Sequence, residues 1–328
     1  MRRGALNQRN WAARILALAL VNAFTASITL ATPAWTITQL TDNSYDDWYP
    51  DISGTNVVWN TYYGAVQSNF AGQLTPSDPS HIALDPAISG TNVAWTWVGA
   101  DCEIHSNFAG QLTNNSILHV NPDVSGTNVV WNAFPEGDFV ASQIYSNFAG
   151  QLSNSSTDNW YPAVSGTNVV WQGWDGHDYE IYSNFAGQLT NNDVDDYYPD
   201  ISGTNVVWCA WNAFNLQVYS NFAGQLTDDN LGGGDPAISG TNVAWVSRDG
   251  GDFNIYTNFA GRLTDTGTGV WCLSAARPAI SGTNVVWIAS DGHDYEVYMA
   301  TPIPVPEPIL LVGLGAGLVG WLRPRRAL

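Results

Sequence analysis

The block Ser-Gly-Thr-Asn-Val-(Val/Ala)-Trp occurs seven times, beginning at Ser53, Ser89, Ser125, Ser165, Ser202, Ser239 and Ser281. Successive starts lie 36, 36, 40, 37, 37 and 42 residues apart. A second block, (Ser/Thr)-Asn-Phe-Ala-Gly-(Gln/Arg)-Leu-(Thr/Ser), follows six of them, from Ser68, Ser106, Ser146, Ser183, Ser220 and Thr257. A period near forty residues, rich in β-formers, predicts propeller blades of four strands each. In one unit, strand a is Pro162 to Ser165 and Gly166-Thr167 is a two-residue turn. Glycine at the first central position suits a type II′ hairpin. Strand b runs from Asn168 to Trp171 and a little beyond, Asp175-Gly176-His177 turns again, strand c is Tyr179 to Ser183, and strand d is Gln188-Leu189-Thr190. Strand b is apolar at consecutive positions, as a strand covered on both faces must be. The repeated Trp (Trp59, Trp95, Trp131, Trp171, Trp208, Trp245, Trp287) is therefore expected between blades.

The ends of the repeat decide whether the array closes. The seventh Trp block runs through Glu296-Val297-Tyr298-Met299 and stops before any Gln-Leu-Thr strand. The missing piece stands at the other end, where Trp35-Thr36-Ile37-Thr38-Gln39-Leu40-Thr41 precedes the first blade. The expected fold is all-β: a seven-bladed propeller over 35–300 whose last blade is completed by the N-terminal strand. With both open edges thus removed, a monomer is expected.

The sequence outside this body is of a different kind. Residues 1–34 hold four Arg, an apolar run from Ile15 and small residues at Ala26, Ala31 and Ala34, the pattern of a secretion signal. Residues 301–328 hold Pro-Val-Pro-Glu-Pro, an apolar run from Ile309 to Leu322, and Arg323-Pro324-Arg325-Arg326. Both apolar segments are expected to be helical and to meet the membrane. Fourteen apolar residues span only ~21 Å at ~1.5 Å each, short of a ~30 Å hydrocarbon core, which favours transient insertion.

The chain has no Lys, and the 35–300 body keeps three Arg against 28 acids, a net charge near −25. Such a surface repels nucleic acid and anionic lipid and attracts cations or neutral, hydroxyl-rich ligands. The three cysteines, Cys102, Cys209 and Cys272, fall at different places in the repeat and read as incidental small apolar residues.

The C-terminal triad of motifs, with Val305, Pro306, Glu307 and Pro308 at its head and Arg323, Arg325 and Arg326 at its end, resembles the PEP-CTERM sorting signal of Gram-negative, biofilm-forming bacteria. That resemblance implies an exosortase as partner. It also implies export across the inner membrane, with a transient anchor there, to the periplasm, the outer-membrane surface or the extracellular matrix. The repeat, through Tyr161-Pro162-Ala163-Val164-Ser165, Glu180-Ile181-Tyr182 and Gln188-Leu189-Thr190, resembles the TolB-type propeller unit. It departs from the TolB protein in having seven units and no separate N-terminal domain, which puts a Tol-Pal role in doubt.

Strand order puts the a–b and c–d turns, nearly identical in every blade, on one face, and the variable b–c and d–a loops on the other. Aromatic rings beside carboxylates on the variable face suit saccharides: rings stack on C–H faces while acids and amides bond hydroxyls. The expected platform is Trp48, Tyr49, Trp160, Tyr161, Trp174, Tyr197 and Tyr198. Asp51, Asp123 and Asp200, each following the strand-a Pro, are candidate Ca²⁺ ligands if strand a is innermost; no cofactor is otherwise required. The five histidines (His81, His105, His119, His177, His293) are scattered, and neither a nucleophile elbow nor a phosphate-binding Gly loop is present. A non-catalytic binding protein for extracellular polysaccharide or a protein partner is the leading expectation. A glycoside hydrolase or lyase using the acidic face, and a purely structural surface protein, remain open.

Overall fold

A computed structural model describes residues 35–304 apart from 77–79, 136–140, 154–156, 213–214, 228–230, 250–251 and 265–276. The two hydrophobic end segments, including the Pro-Glu-Pro motif and the Arg cluster, lie outside the described residues, as does Cys272. The described chain forms seven four-stranded antiparallel sheets and, among these residues, no helix.

Each sheet is one repeat. In the fourth, strand a spans Asn159–Ser165, b Asn168–Trp174, c Tyr179–Ser183 and d Gly187–Gln188. Strand d is shorter than the sequence suggests because Leu189 and Thr190 leave the ladder while still serving strand c. The Leu189 N–H bonds Ile181 O (2.7 Å), and the Ile181 N–H turns to Thr190 Oγ1 (2.8 Å). At the a–b turn Gly166 has φ +66, a conformation that disfavours any side chain, which is why glycine opens this turn in every blade.

The seventh sheet has the order N-terminal strand, c, b, a. Trp35–Gln39 pairs antiparallel with Tyr295–Pro302, from Trp35 opposite Pro302 to Gln39 opposite Tyr298. The Leu40 N–H bonds Val297 O (2.7 Å), and Thr41 Oγ1 accepts the Val297 N–H (2.9 Å), repeating the Leu and Thr contacts of the internal d strands. The ring is closed by the strand the sequence left unpartnered.

The core lies between sheets. Trp171 is buried among Val130 and Ile144 of the third blade and Val164 and Val169 of its own. Trp95 is buried among Val58, Val66, Ile88 and Val93, and Trp245 among Val207, Cys209, Val218, Ile238 and Val243. Six of the seven are buried and Trp208 is half-buried. In five blades the Trp also stacks on the ring opposite in strand c, as for Trp171 on Tyr182 and Trp287 on Tyr298.

The invariant Ser-Gly-Thr-Asn turns out to be a joint between blades. The turn Gly N–H of each blade donates to the Ser Oγ of the blade before it, seven bonds of 2.8–2.9 Å. The Asn Nδ2 of each blade donates to the Gly carbonyl of the blade after it, seven more at 2.7–2.9 Å. Both circuits run through the junction of last and first blades, where Ser281 and Asn284 hold Gly54. The Asn of the second block ties the c–d turn to strand b of its own blade, as in Asn184 Oδ1 accepting from Val169 N–H (2.9 Å) and Nδ2 donating to Thr167 O (2.8 Å).

Two expected outcomes follow. Trp171→Ala lowers unfolding free energy by about 3–5 kcal/mol in urea melts. Ser281→Ala and Asn284→Ala each cost about 1 kcal/mol, the same as Ser125→Ala and Asn128→Ala at an internal joint; silence of the first pair alone would mean an open ring.

Candidate functional site

Strand a is innermost, and three successive residues from each blade line an axial cavity of about 440 Å³. The middle residue is always Pro (Pro50, Pro86, Pro122, Pro162, Pro199, Pro236, Pro278). Six of the seven strands carry a one-residue bulge here, for example between Trp160 and Ala163. Proline cannot donate to the ladder and is accommodated at such a bulge. The residue before it is pushed into the left-handed region although none is glycine: Tyr49, Asp85, Asn121, Tyr161, Tyr198 and Asp235 have φ of 48–52°. Each such residue costs on the order of 1–3 kcal/mol. The bulge turns six polar or aromatic side chains toward the axis, and Arg277 takes the same position in the seventh blade.

Arg277 spans this ring. Its guanidinium carbon lies 5.1 Å from the Tyr161 ring centre and 4.9 Å from that of Tyr198, while its Nε stands 3.6 Å from Asp235 Oδ1. Burial raises the Asp235 carboxyl to about 6 and also lifts Asp85, and the Arg277 charge opposes both shifts. Burial likewise raises the Tyr49 and Tyr198 phenols.

Five of the seven expected platform residues join one arc across the third to fifth blades. Ring centres step from Phe134 to Trp160 (5.3 Å), Tyr161 (6.2 Å), Tyr198 (4.9 Å), Tyr197 (6.0 Å), Tyr179 (5.7 Å) and Trp174 (5.3 Å). Phe134 is buried, the middle rings are half-buried, and Trp174 is exposed. Trp48 and Tyr49 stand apart: Trp48 packs on Tyr295 at the junction of the last and first blades (5.0 Å), and Tyr49 lines the cavity from the first blade. Sequence reasoning missed Phe134, Tyr179 and Arg277. Arg277-Pro278 occupies the Tyr-Pro position of other blades, which was a usable signal; nothing in the sequence marked the other two.

Asp51, Asp123 and Asp200, the expected calcium ligands, have another engagement. Every one of their six carboxylate oxygens accepts a backbone N–H. One bond is to the next residue of the same strand (Ile52, Val124, Ile201; 2.7–2.8 Å), the other to the following blade (Ile88, Val164, Ile238; 2.6–2.7 Å). Asp in blades one, three and five alternates with Ala87, Ala163 and Ala237 because one carboxylate serves two blades. Among the described residues the carboxylate clusters tight enough for one ion lie elsewhere, at Asp42–Asp291–Glu296 and Asp175–Asp178–Glu180. Burial raises Asp51 and Asp200 to about 6, and burial plus repulsion from those two raises Asp123 to about 8.

Among the described residues no histidine joins a metal-ligand cluster, and His81 and His105 meet on one indole. His81 stacks on Trp97, His105 lies against Trp95 and Trp97, and His119 Nδ1 accepts the Trp131 indole N–H (2.9 Å). Burial lowers His105 and His119. Cys209 is buried and Cys102 half-buried; both are free, and burial pushes both thiols up.

No family model matches the chain, and no curated protein matches it. Solved structures do. The β-propeller domain of the Trilobed protease from Pyrococcus furiosus, described as having an open velcro topology, superposes with TM-score 0.53 at 11% identity, over 82% of this chain and 99% of that one. Acylaminoacyl peptidase from Pyrococcus horikoshii gives 0.57 at 10% identity, over 84% of this chain but 53% of its own length. An oligogalacturonate lyase in complex with manganese gives 0.54 at 11% identity, over 84% and 95%. The chain is thus a seven-bladed propeller whose fold is similar to the propeller domains of peptidases and of a lyase. Unlike the open velcro of the Pyrococcus furiosus domain, its ring is closed by strand pairing.

The raised carboxyls make stability depend on pH. A carboxyl that holds its proton more tightly when folded favours the fold at low pH. That contribution is complete below the unfolded value near 4 and is lost as pH rises through the folded value. For Asp51 and Asp200 the loss runs from about 4 to about 6, and for Asp123 it continues to about 8. Melting by circular dichroism should give a higher Tm at pH 5 than at pH 9, the fall being steepest below pH 6 and ending near pH 8.

Proposed function

We propose that this chain is an exported, non-catalytic surface propeller that binds a polysaccharide on the face bearing the aromatic arc. The observation that carries the reading is the run of rings from Trp160 to Trp174, open at its Trp174 end and bordered by Asp175 and Asp195. Flat rings graded from buried to exposed suit the C–H faces of successive sugar units, and carboxylates beside them accept hydroxyl hydrogens. The residues before each Pro, turned toward the axis, add a central mouth with one cation, Arg277. The terminal segments, by their resemblance to a secretion signal and a PEP-CTERM signal, support delivery to the cell surface by an exosortase route and a place in a biofilm matrix. A protein partner on the same face is the other form this binding role takes.

A carbohydrate-active enzyme is the second reading, and one observation favours it: an oligogalacturonate lyase shares the fold over 84% of this chain. The likeness is one of fold at 11% identity, so the chemistry stays with that protein.

Glycan-array binding paired with turnover assays on the same glycans separates the two. Binding without turnover, weakened about two- to tenfold by Trp174→Ala or Tyr197→Ala, is the expected result. Release of reducing ends or of unsaturated products would establish the enzyme instead.

A further inference from the structure

The b–c turns of the fourth and seventh blades carry one hexapeptide, Asp-Gly-His-Asp-Tyr-Glu, at 175–180 and 291–296. No other blade has it. In the fourth blade Asp175, Asp178 and Glu180 bring carboxylate oxygens within 4.8 Å of one another. Two of the three have partners. Asp175 Oδ1 accepts the N–H of His177 (2.8 Å) and of Asp178 (3.2 Å), closing the turn. Glu180 accepts the Asn192 N–H (2.6 Å) and the Thr190 hydroxyl (2.5 Å).

Asp178 is different. Its side chain is 7% exposed, and both of its carboxylate oxygens are buried without a hydrogen-bond donor. The basic side chain beside it is the exposed His177 ring, its Nδ1 3.7 Å away. The adjoining d–a loop adds more acid: Asp195 Oδ1 accepts the Tyr179 N–H (3.0 Å), and Asp196 shares a carboxyl–carboxylate contact with Glu180. A buried carboxylate with no donor, in a nest of other carboxylates, is strongly unfavourable until a cation enters.

The seventh blade repeats the turn but takes its third carboxylate from Asp42 and not from the counterpart of Asp178. Asp291 Oδ1 accepts from His293 (2.8 Å) and Asp294 (3.3 Å), and Asp46 Oδ1 accepts from Tyr295 (3.0 Å). Here Asp291, Glu296 and Asp42 converge within 4.8 Å, while Glu296 Oε2 and Asp294 Oδ1 are buried without donors. Asp42 follows the N-terminal strand, whereas Asp291 and Glu296 belong to the blade that strand completes.

We propose that both hairpins are divalent-cation sites of the calcium class, the one in the seventh blade fastening the N-terminal segment to the ring it closes. The donor sets are all oxygen and all anionic. Three carboxylates supply up to six ligand atoms, with water filling a shell of six to eight; soft transition metals would instead call for thiolate or imidazole. These positions lie away from the Asp51–Asp123–Asp200 ring, and the proposal does not depend on any saccharide.

CaCl₂ titrated calorimetrically into the chelator-treated full chain, with melts in parallel, tests this. Two equivalents should bind, and Tm should rise with calcium. Asp178→Asn should retain one equivalent and, in EDTA, melt no lower than the parent, because it removes an unpaired buried charge. Asp291→Asn, at an exposed position, should remove the other equivalent and most of the calcium-dependent rise in Tm. Asp175→Asn, also exposed, replaces Asp178→Asn should that variant fail to fold. No heat at millimolar calcium, or two equivalents kept by the variants of both hairpins, would overturn the proposal.

Discussion

The double joint at each a–b turn is the constraint on which the rest of the disk depends. A glycine fixed at both its N–H and its carbonyl by the preceding blade leaves little freedom in the angle between neighbouring sheets. Seven identical joints impose seven identical rotations, and a ring results only if those rotations sum to a full turn. Exposed hydrogen bonds are individually worth about 1 kcal/mol. Their larger effect is geometric: they set the spacing at which each Trp fills the gap between sheets. This accounts for the near-identity of a face that presents nothing specific to a ligand. The repeated tetrapeptide is conserved within the chain by assembly, and the other face is thereby free to vary.

Closure adds a second demand. Internal blades manage with a two-residue outer strand, whereas the closing strand pairs over five residues. An internal outer strand is held by a covalent turn to strand c. The closing strand has no such turn, so its ladder must supply by length what the others get from connectivity. The side chains still obey the common plan, with Thr41 meeting Val297 as Thr190 meets Ile181.

The architecture was legible because it is written in periodic blocks and in the offset between a missing last strand and a spare first one. The candidate site was legible only in part. Pattern reasoning recognised the aromatic residues of the Tyr-Pro positions but not which of them would meet. Contacts such as Tyr161 with Tyr198 run between blades, at a separation fixed by the joint and not by sequence distance. The inner Asp residues recur in alternate blades for a reason the sequence does not show: a carboxylate has two oxygens, and adjacent strands offer one N–H each. An odd number of blades cannot be paired off completely, and the seventh, with Ala279 after Ala237, is the one outside the scheme.

The same sharing explains why the two hexapeptide turns stand out. Several buried polar side chains are matched by neighbours, Glu103 by Thr113 and Asn115 and Gln143 by Ser153 and Thr157, whereas elsewhere single atoms such as Asn132 Oδ1 lack a partner. Asp178 is the one carboxylate among the described residues with both oxygens buried and neither given a hydrogen-bond donor. Replacing it with Asn or Ser would be cheap in folding terms, and the other blades carry no Asp-Gly-His-Asp-Tyr-Glu turn at all. The hexapeptide and an acidic d–a loop occur together twice, at 175–180 with 191–196 and at 291–296 with 42–47. The turn and the loop bring their acids to one hairpin end in both blades, and a shared ionic ligand is a physical role for that pairing.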